Sequence, residues 1–338
     1  MDRKTLRNLV FLVVLIVAVA IILRRSRQTL LWQQESGRVF GTFYNLTYRH
    51  PASLRAEVDS VLRLVDFSLS PFNEQSVISR VNRNEPVVPD TMFVRVFRRS
   101  MEVSELTHGA FDITVAPLVN AWGFGFRHEQ FPDTLSVDTL LSYTGWQKVR
   151  LDEATGQVVK ADPRLMLTCS AVAKGYAVDQ VAGLLRGCGV EDYMVDIGGE
   201  VVVAGQNPSG TRWRIGVNKP VDDSLSLNQD LQTVLQITDA AMATSGNYRN
   251  FYYRGGRKYA HTVDPRTGYP VQHSLLSATV IAPDCMTADA YATAFMVMGL
   301  DSALLMAEQL PYLQAYFIYD DGYGGLQTAQ TTGMSQYE

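Results

Sequence analysis

The chain has 338 residues, of which 46% are hydrophobic and 19% are charged, and its formal net charge is −4. This composition is typical of a globular protein and excludes a largely disordered one. The weakly negative charge, with no stripe of basic residues, argues against nucleic acid as the main partner. About 300 residues follow the N-terminal segment, enough for one large domain or two.

The N-terminal segment, residues 1–30, is predicted as a signal-anchor and tether. Its apolar run, Leu9 to Leu23, is preceded by basic residues and followed by three arginines. The run is shorter than the roughly 20 residues of a spanning helix, but it has the length and flanks of a signal sequence. No clear small-x-small cleavage site precedes the arginines, which favours an uncleaved anchor. We expect the body of the protein to lie on the exported side of the membrane.

The first part of the body is predicted as a strand followed by helices. Residues 24–37 indicate a polar tether, and "RVFGTFYNLTYR" alternates apolar and polar residues like a strand. Pro51 occupies a favoured first position of a helix with apolar residues at helical spacing. A short helix ends near Asn82, and Asp90 is a good N-cap for a longer helix that runs to His108.

The rest of the chain mixes strands and helices. Residues 109–163 lack periodicity and are predicted as strand and turn, with a hairpin at "DEATGQ"; "AVAKGYAVDQVAGLLRGCG" returns to a helical pattern. Gly198-Gly199 indicates a second hairpin, and a helix over "TADAYATAF" is followed by another from about Asp301. Without strict strand-helix alternation, this order predicts an α+β fold with a largely antiparallel sheet in one domain, residues 37–334.

Asp289 and Thr293 offer two oxygen ligands. A helix places them one turn apart on the same face, with alanines around them. Hard cations such as Mg²⁺ take oxygen ligands and keep coordination positions for phosphate. The spacing alone favours a different interpretation over a cation site, namely an aspartate on the helix dipole and a threonine bonded to a backbone carbonyl.

Two other segments carry reactive side chains. Lys174 lies near a helix start in "SAVAKGY", after Thr168 and Ser170, where it favours a phosphate group but is also consistent with an amphipathic surface helix. His261 opens "HTVDPRTGYP" and has the chemistry of a base that activates a hydroxyl, although a lone histidine is often structural. Asp112 lies between apolar residues and needs hydrogen bonds either from local backbone or from a ligand.

Eight segments, in order along residues 39–300, together resemble the ApbE-type flavin transferases. They are "FGTFYNLTY", "LSPFNEQSVISRVN", "GAFDITVAPLVNAWGFG", "SAVAKGYAVD", "DIGGEV", "ATSGNY", "HTVDPRTGYPV" and "TADAYATA". The resemblance implies an ApbE-like fold and a catalytic Mg²⁺ whose ligands match Asp289, Thr293 and the carbonyl of Ala171. It identifies His261 with a histidine that acts as base toward an acceptor threonine.

The resemblance also implies positions that contact FAD. These positions are Phe40, Ala110, Phe111, Asp112, Thr168 and Lys174. We add Ser245 and Gly246, since the small-residue turn "ATSGNY" allows close backbone approach to a ligand. Two positions depart from the family pattern: Phe40 replaces a usual methionine, and Thr168 stands where an aspartate is common, which removes a charge from that contact.

The implied reaction is the transfer of FMN from FAD to a threonine of a target flavoprotein, with release of AMP and formation of a phosphoester. The expected partners are FAD, subunits of exported or membrane redox complexes, and the membrane itself. The expected location is the bacterial inner membrane, with the catalytic domain facing the periplasm. Two alternatives stay open: an FAD pyrophosphatase that yields FMN and AMP, and a non-catalytic exported FAD-binding protein.

Overall fold

The computed structural model describes residues 15–16, 31–126, 134–221, 230–248 and 250–338. The predicted signal-anchor therefore lies almost entirely outside the described residues, of which only Leu15 and Ile16 belong to it; both are helical and exposed. Within the described ranges, no helix is long and apolar enough to cross a membrane.

The described residues form strands and helices whose order mixes the two types throughout. The strands are β1 (Trp32–Val39), β2 (Thr42–Arg49), β3 (Val149–Leu151), β4 (Val158–Lys160), β5 (Tyr193–Ile197), β6 (Glu200–Ala204), β7 (Trp213–Asn218), β8 (Leu231–Ile237), β9 (Ala240–Gly246), β10 (Phe251–Arg254), β11 (Arg257–Ala260), β12 (Leu275–Ala282), β13 (Gln314–Asp320) and β14 (Leu326–Gln330). The α-helices are α1 (Arg55–Leu69), α2 (Val77–Asn82), α3 (Thr91–Leu106), α4 (Ala116–Ala121), α5 (Thr134–Tyr143), α6 (Ala173–Gly187), α7 (Cys285–Met298) and α8 (Leu300–Gln309).

An eight-stranded antiparallel sheet is the centre of the fold, in the order β1-β2-β5-β6-β9-β12-β13-β14. Helices α6 and α7 pack on one face of it. The β7–β8 hairpin covers part of the other face with apolar side chains such as Trp213 and Ile215. Strands β6 and β12 are covered on both faces, so their sequences are nearly continuous apolar runs rather than alternating ones.

Helices α6 and α7 approach each other closely at Gly175. A Cβ atom at this position would lie 2.8 Å from the Asp289 Cβ and would also overlap the Cys285 carbonyl. Glycine therefore sets the distance between the two helices. The backbone N–H of Gly175 donates a 3.0 Å hydrogen bond to the Asp289 carboxylate. The start of α7 is fixed as well, because Asp284 caps it and Asp179 of α6 accepts from the N–H groups of Cys285 and Met286.

The α+β class and the antiparallel sheet are confirmed, and so are the helix capped by Asp90 and the hairpins at "DEATGQ" and Gly198-Gly199. The helices over "TADAYATAF" and beyond are also found.

Four local predictions were wrong. Residues 109–163 contain helices α4 and α5, whose lengths of 6 and 10 residues are too short to impose a clear period. "RVFGTFYNLTYR" is not one strand, because residues 40 and 41 have positive φ and turn the chain between β1 and β2. Helix α1 begins at Arg55 rather than Pro51.

The prediction of a polar tether over residues 24–37 is wrong for residues 32–37. Residues 32–37 belong to β1, which pairs with β2 along its whole length as an edge strand of the sheet. The polar residues that suggested a tether lie on this edge, where Glu35 accepts a hydrogen bond from the Tyr48 hydroxyl and Trp32 packs edge-on against Trp213.

The close contact at Gly175 predicts that Gly175→Ala destabilises the protein. The added methyl group must push α6 from α7, and overpacking of this kind costs about 1–3 kcal/mol. Gly183→Ala in the same helix is the matched control, because only the flexible end of Arg186 lies near its added Cβ. Alanine at a helix interior is more favourable than glycine by about 0.5–1 kcal/mol, so the control should be neutral or stabilising. Urea unfolding of both variants measures this, and equal effects would contradict the account of the contact.

Candidate active site

A cavity of about 490 Å³ opens beside α6, α7 and the ends of strands β6 and β9. It collects most of the predicted site residues, which are distant in the sequence. These are Ala110, Phe111, Asp112, Thr168, Ala171, Lys174, Ser245, Gly246, His261, Asp289 and Thr293.

Asp289 and Thr293 lie on the α7 wall of this cavity. Asp289 is only 3% exposed, and its Oδ2 accepts the hydrogen bond from the Gly175 N–H. Burial raises the pKa of this carboxyl, while the Lys174 ammonium and the Gly175 N–H oppose the rise. One turn later, the Thr293 hydroxyl lies 3.2 Å from that of Ser245 on β9. The two side chains therefore share one face, as the spacing predicts, and that face lines the cavity.

Lys174, in the first turn of α6, forms an ion pair with Glu200 at the start of β6. Burial alone would lower the pKa of Lys174, but the carboxylates of Glu200 and Asp289 raise it. Burial raises the pKa of Glu200, against the opposing effect of Lys174. This wall thus contains two buried carboxylates and one ammonium group.

The oxygen atoms that line this part of the cavity fit a hard divalent cation. A carboxylate, a hydroxyl and a backbone carbonyl, from Asp289, Thr293 and Ala171, are oxygen ligands of the kind that Mg²⁺ takes. The two carboxylates exceed the single ammonium by one negative charge, which a cation would neutralise. In the described part of the chain, no group of three or more His, Cys, Asp or Glu side chains is placed to bind a metal. A site here would therefore depend on mixed oxygen donors, unlike a typical Zn²⁺ site.

Both carboxylate oxygens of Asp112 accept hydrogen bonds from backbone N–H groups, one in its own loop and one 34 residues away. One oxygen accepts from the backbone N–H of Thr114 at 2.7 Å, and the other accepts from that of Trp146 at 2.8 Å. Burial raises the pKa of this group. Backbone groups therefore satisfy both oxygens, and because Asp112 also lines the cavity, its contact with FAD stays a prediction. Nearby, the Thr168 hydroxyl lies 3.0 Å from that of Ser170, so Thr168 presents a neutral hydroxyl pair to the cavity rim.

His261 follows β11 and places its ring in the cavity wall. Its backbone N–H donates to the Asn250 carbonyl, and its ring packs edge-on against Phe124 at 6.4 Å between centroids. The ring Nδ1 is buried and has no hydrogen-bond partner among the described residues. Burial lowers the pKa of His261, which favours the neutral imidazole, the form that can accept a proton.

Aromatic side chains form another part of the cavity lining. Phe124 stacks on Tyr252 with 4.9 Å between centroids, Tyr252 stacks on Tyr259, and Tyr259 stacks on Trp122. This series fixes the β10–β11 hairpin against the segment after α4, and its end at Phe124 lies in the cavity. The cavity is also lined by Phe72, Phe126 and Tyr248. Such rings suit a flat aromatic ligand.

Phe40 is the predicted site residue that the structure does not bring to this cavity. It lies in the turn between β1 and β2 and lines a separate cavity of about 660 Å³ next to α1. Its contact with FAD stays a prediction that the arrangement of the cavity beside α6 and α7 does not support.

Glu200 is a candidate site residue that was missed from the sequence. In the sequence it belongs to the segment "DIGGEV", next to the predicted hairpin at Gly198-Gly199, where it is not among the predicted site residues. A signal was nevertheless present, because a carboxylate opens the otherwise apolar strand "EVVVA". A charge at the start of a fully covered strand requires a buried partner.

Comparisons with known proteins agree with this arrangement. The model of the ApbE family matches residues 40–317. A Vibrio cholerae protein named FAD:protein FMN transferase is 38% identical over 303 residues, which cover 85% of this chain and 88% of that protein. A Haemophilus influenzae protein of the same name is 36% identical and covers 81% of this chain, with 83% of its own length matched.

Solved structures are similar over the same region. The flavin transferase ApbE from Vibrio cholerae superposes with a TM-score of 0.81 at 33% identity, covering 91% of this chain and 100% of the other. The apo form of the Pseudomonas stutzeri flavinyl transferase ApbE gives a TM-score of 0.80 at 31% identity, with 90% and 96% coverage. With a family match over most of its length, relatives above 30% identity and the same fold, the chain belongs to the ApbE family.

Proposed function

We propose that this protein is an FAD:protein FMN transferase that moves FMN from FAD to a threonine hydroxyl of a target flavoprotein. The observation that carries the proposal is the convergence of Asp289, Thr293, Lys174 and His261 on one cavity in a member of this family. The relatives named above carry this activity in their names.

The chemistry requires one bond to form and one to break. The threonine oxygen attacks the FMN-side phosphorus of FAD, and the bond from that phosphorus to the bridging oxygen breaks, so that AMP leaves. The hydroxyl proton passes to the neutral ring of His261, whose buried Nδ1 has no protein partner in the described ranges. The Lys174 ammonium, which lines the same cavity, would add positive charge near the negatively charged diphosphate of FAD.

Asp289, Thr293 and the Ala171 carbonyl would hold Mg²⁺ on the same wall. When bound, the cation supplies Lewis acidity and a template for the phosphate oxygens. The protein contributes the rigid placement of these ligands, since Gly175 holds the Asp289 carboxylate and Ser245 contacts the Thr293 hydroxyl.

The cavity suits FAD in size and lining. Its volume of about 490 Å³ lies within the range of ligand pockets, about 300–1,000 Å³. Phe72, Phe124 and Tyr248 offer aromatic faces to the rings, and the segment Ala110–Asp112 lines the adjoining wall.

We further propose that residues 1–30 anchor the protein in a bacterial inner membrane, with the catalytic domain in the periplasm. The support is the apolar run with basic residues on both sides. Protease added to spheroplasts should digest the domain while the inner membrane is intact. Protection of the domain until the membrane is broken would contradict this orientation.

The activity is tested by incubating the protein with FAD, Mg²⁺ and a threonine-bearing acceptor, and measuring the acceptor mass. A mass increase equal to FMN phosphoester formation, with AMP released in equal amount, is expected. Free FMN with AMP and no adduct would indicate the pyrophosphatase alternative instead. Binding of FAD without any product would indicate the non-catalytic alternative.

Asp289→Asn should lower the rate of metal-dependent transfer by roughly 100-fold with little loss of stability. Asparagine can still accept the Gly175 hydrogen bond but loses the charge that binds a cation. Loss of about 3 kcal/mol of transition-state stabilisation lowers the rate by roughly 100-fold. Asp289→Ala is the comparison, because it also leaves the Gly175 N–H unpaired, at a further cost of about 1–3 kcal/mol in unfolding free energy. Transfer at the normal rate by Asp289→Asn would refute the metal assignment.

The transfer rate should rise with pH and reach its plateau by about pH 7. The base must be neutral, and burial lowers the pKa of His261 below its ordinary value of 6.5. The acid limb of kcat/KM against pH should therefore have a midpoint below 6.5, and transfer should vary little above pH 7 on account of this group. An acid-limb midpoint above 6.5 that is the same in the wild type and in His261→Gln would show that another group titrates. This result would contradict the role of His261 as the base.

A further inference from the structure

The Glu200 carboxylate is buried, and only one of its two oxygens has a polar partner among the described residues. The residue is 2% exposed, and one of its oxygens, Oε1, pairs with the Lys174 ammonium. The other oxygen, Oε2, is buried and has no hydrogen-bond partner within the described part of the protein. Glu200 lines the same cavity as Asp289.

Such a carboxylate is costly for the fold alone. A buried ion pair of this kind is often no more stable than a pair of apolar side chains of similar volume, and a buried acceptor without a partner destabilises the fold further. Glu200 opens a strand whose next three residues are valines, so an apolar side chain would suit its position. The carboxylate is therefore better explained by a ligand in the cavity than by stability.

The charges of Asp289, Glu200 and Lys174 on this side of the cavity indicate which kind of ligand Glu200 binds. In their ionised forms, Asp289 and Glu200 carry two negative charges, and Lys174, which pairs with Glu200 in the same cavity lining, carries one positive charge. A neutral hydroxyl of FAD would satisfy the lone pairs of Oε2 but would leave the excess negative charge. A hydrated divalent cation satisfies both, because Mg²⁺ usually keeps several waters that can donate to nearby carboxylates.

We propose that Glu200 is a positioning residue of the cation site: its Oε1 holds Lys174, and its Oε2 accepts a hydrogen bond from a water of the hydrated cation. This role rests on the proposed Mg²⁺-dependent function, and it extends the site beyond Asp289, Thr293 and Ala171. Lys174 and Glu200 then act on the cation in opposite directions, since the ammonium repels it and the carboxylate attracts it.

The test is the affinity of the purified full chain for Mn²⁺, used as the probe for the site and titrated by electron paramagnetic resonance with and without FAD. Glu200→Gln keeps the size of the side chain but removes the charge, and its Kd for Mn²⁺ should rise about 10- to 100-fold. Lys174→Met should bind Mn²⁺ as tightly as the wild type or more tightly, while its affinity for FAD falls.

Glu35→Gln is the matched control. Glu35 also has a buried oxygen without a partner among the described residues, and its other oxygen accepts from Tyr48 and Ser53 on β2 and the following loop. It is not part of the cavity lining, so its Kd for Mn²⁺ should stay within about twofold of the wild type. A thermal melt of each variant shows that it is folded, and Glu200→Asp, which keeps the charge, should restore part of the affinity lost in Glu200→Gln.

The outcomes separate the two proposals. Normal Mn²⁺ binding by Glu200→Gln, with the wild type binding one Mn²⁺, overturns the role of Glu200 and leaves the proposed function intact. Weaker FAD binding with unchanged Mn²⁺ binding also overturns it, in favour of a direct contact with FAD. No Mn²⁺ binding by the wild type in either condition overturns the metal-dependent function and this role with it.

Discussion

The contact between α6 and α7 at Gly175 is the constraint on which the site depends. The absence of a side chain at this position lets the two helices meet, and the same backbone N–H holds the Asp289 carboxylate. Lys174 precedes this glycine in α6, so one short segment sets both the carboxylate and its counter-charge. A change in the spacing of α6 and α7 would therefore change the distance between the Lys174 ammonium and the Asp289 carboxylate.

The antiparallel sheet supplies the rest of the site. Strand β6 brings Glu200 to the Lys174 ammonium, and β9 brings Ser245 to the Thr293 hydroxyl. Since both strands are covered by the helices on one face, these polar groups lie in a partly desolvated region where charges interact more strongly than in water. Two carboxylates and one ammonium in such a region favour a cation, and the neutral imidazole of His261 faces the same cavity from another element.

The helix over "TADAYATAF" was predictable from the sequence, and so was the shared face of Asp289 and Thr293, because a 3.6-residue period fixes which side chains coincide. Spacing could not tell whether that face was buried, since burial depends on the distant α6 and on the size of Gly175. Helices α4 and α5 were missed because short helices carry little periodicity. Glu200 was missed because its partner, Lys174, lies in another element, and ion pairs between elements have no local sequence signal.

The most direct test of the account is the position of a divalent cation in crystals grown with Mn²⁺ and read from anomalous scattering. One peak is expected in the cavity beside α6 and α7, about 2.1 Å from an oxygen of each of Asp289, Thr293 and Ala171, with Glu200 within reach of a water bound to the ion. A peak elsewhere in the cavity, or none with FAD bound, would contradict the claim that this wall is a cation site.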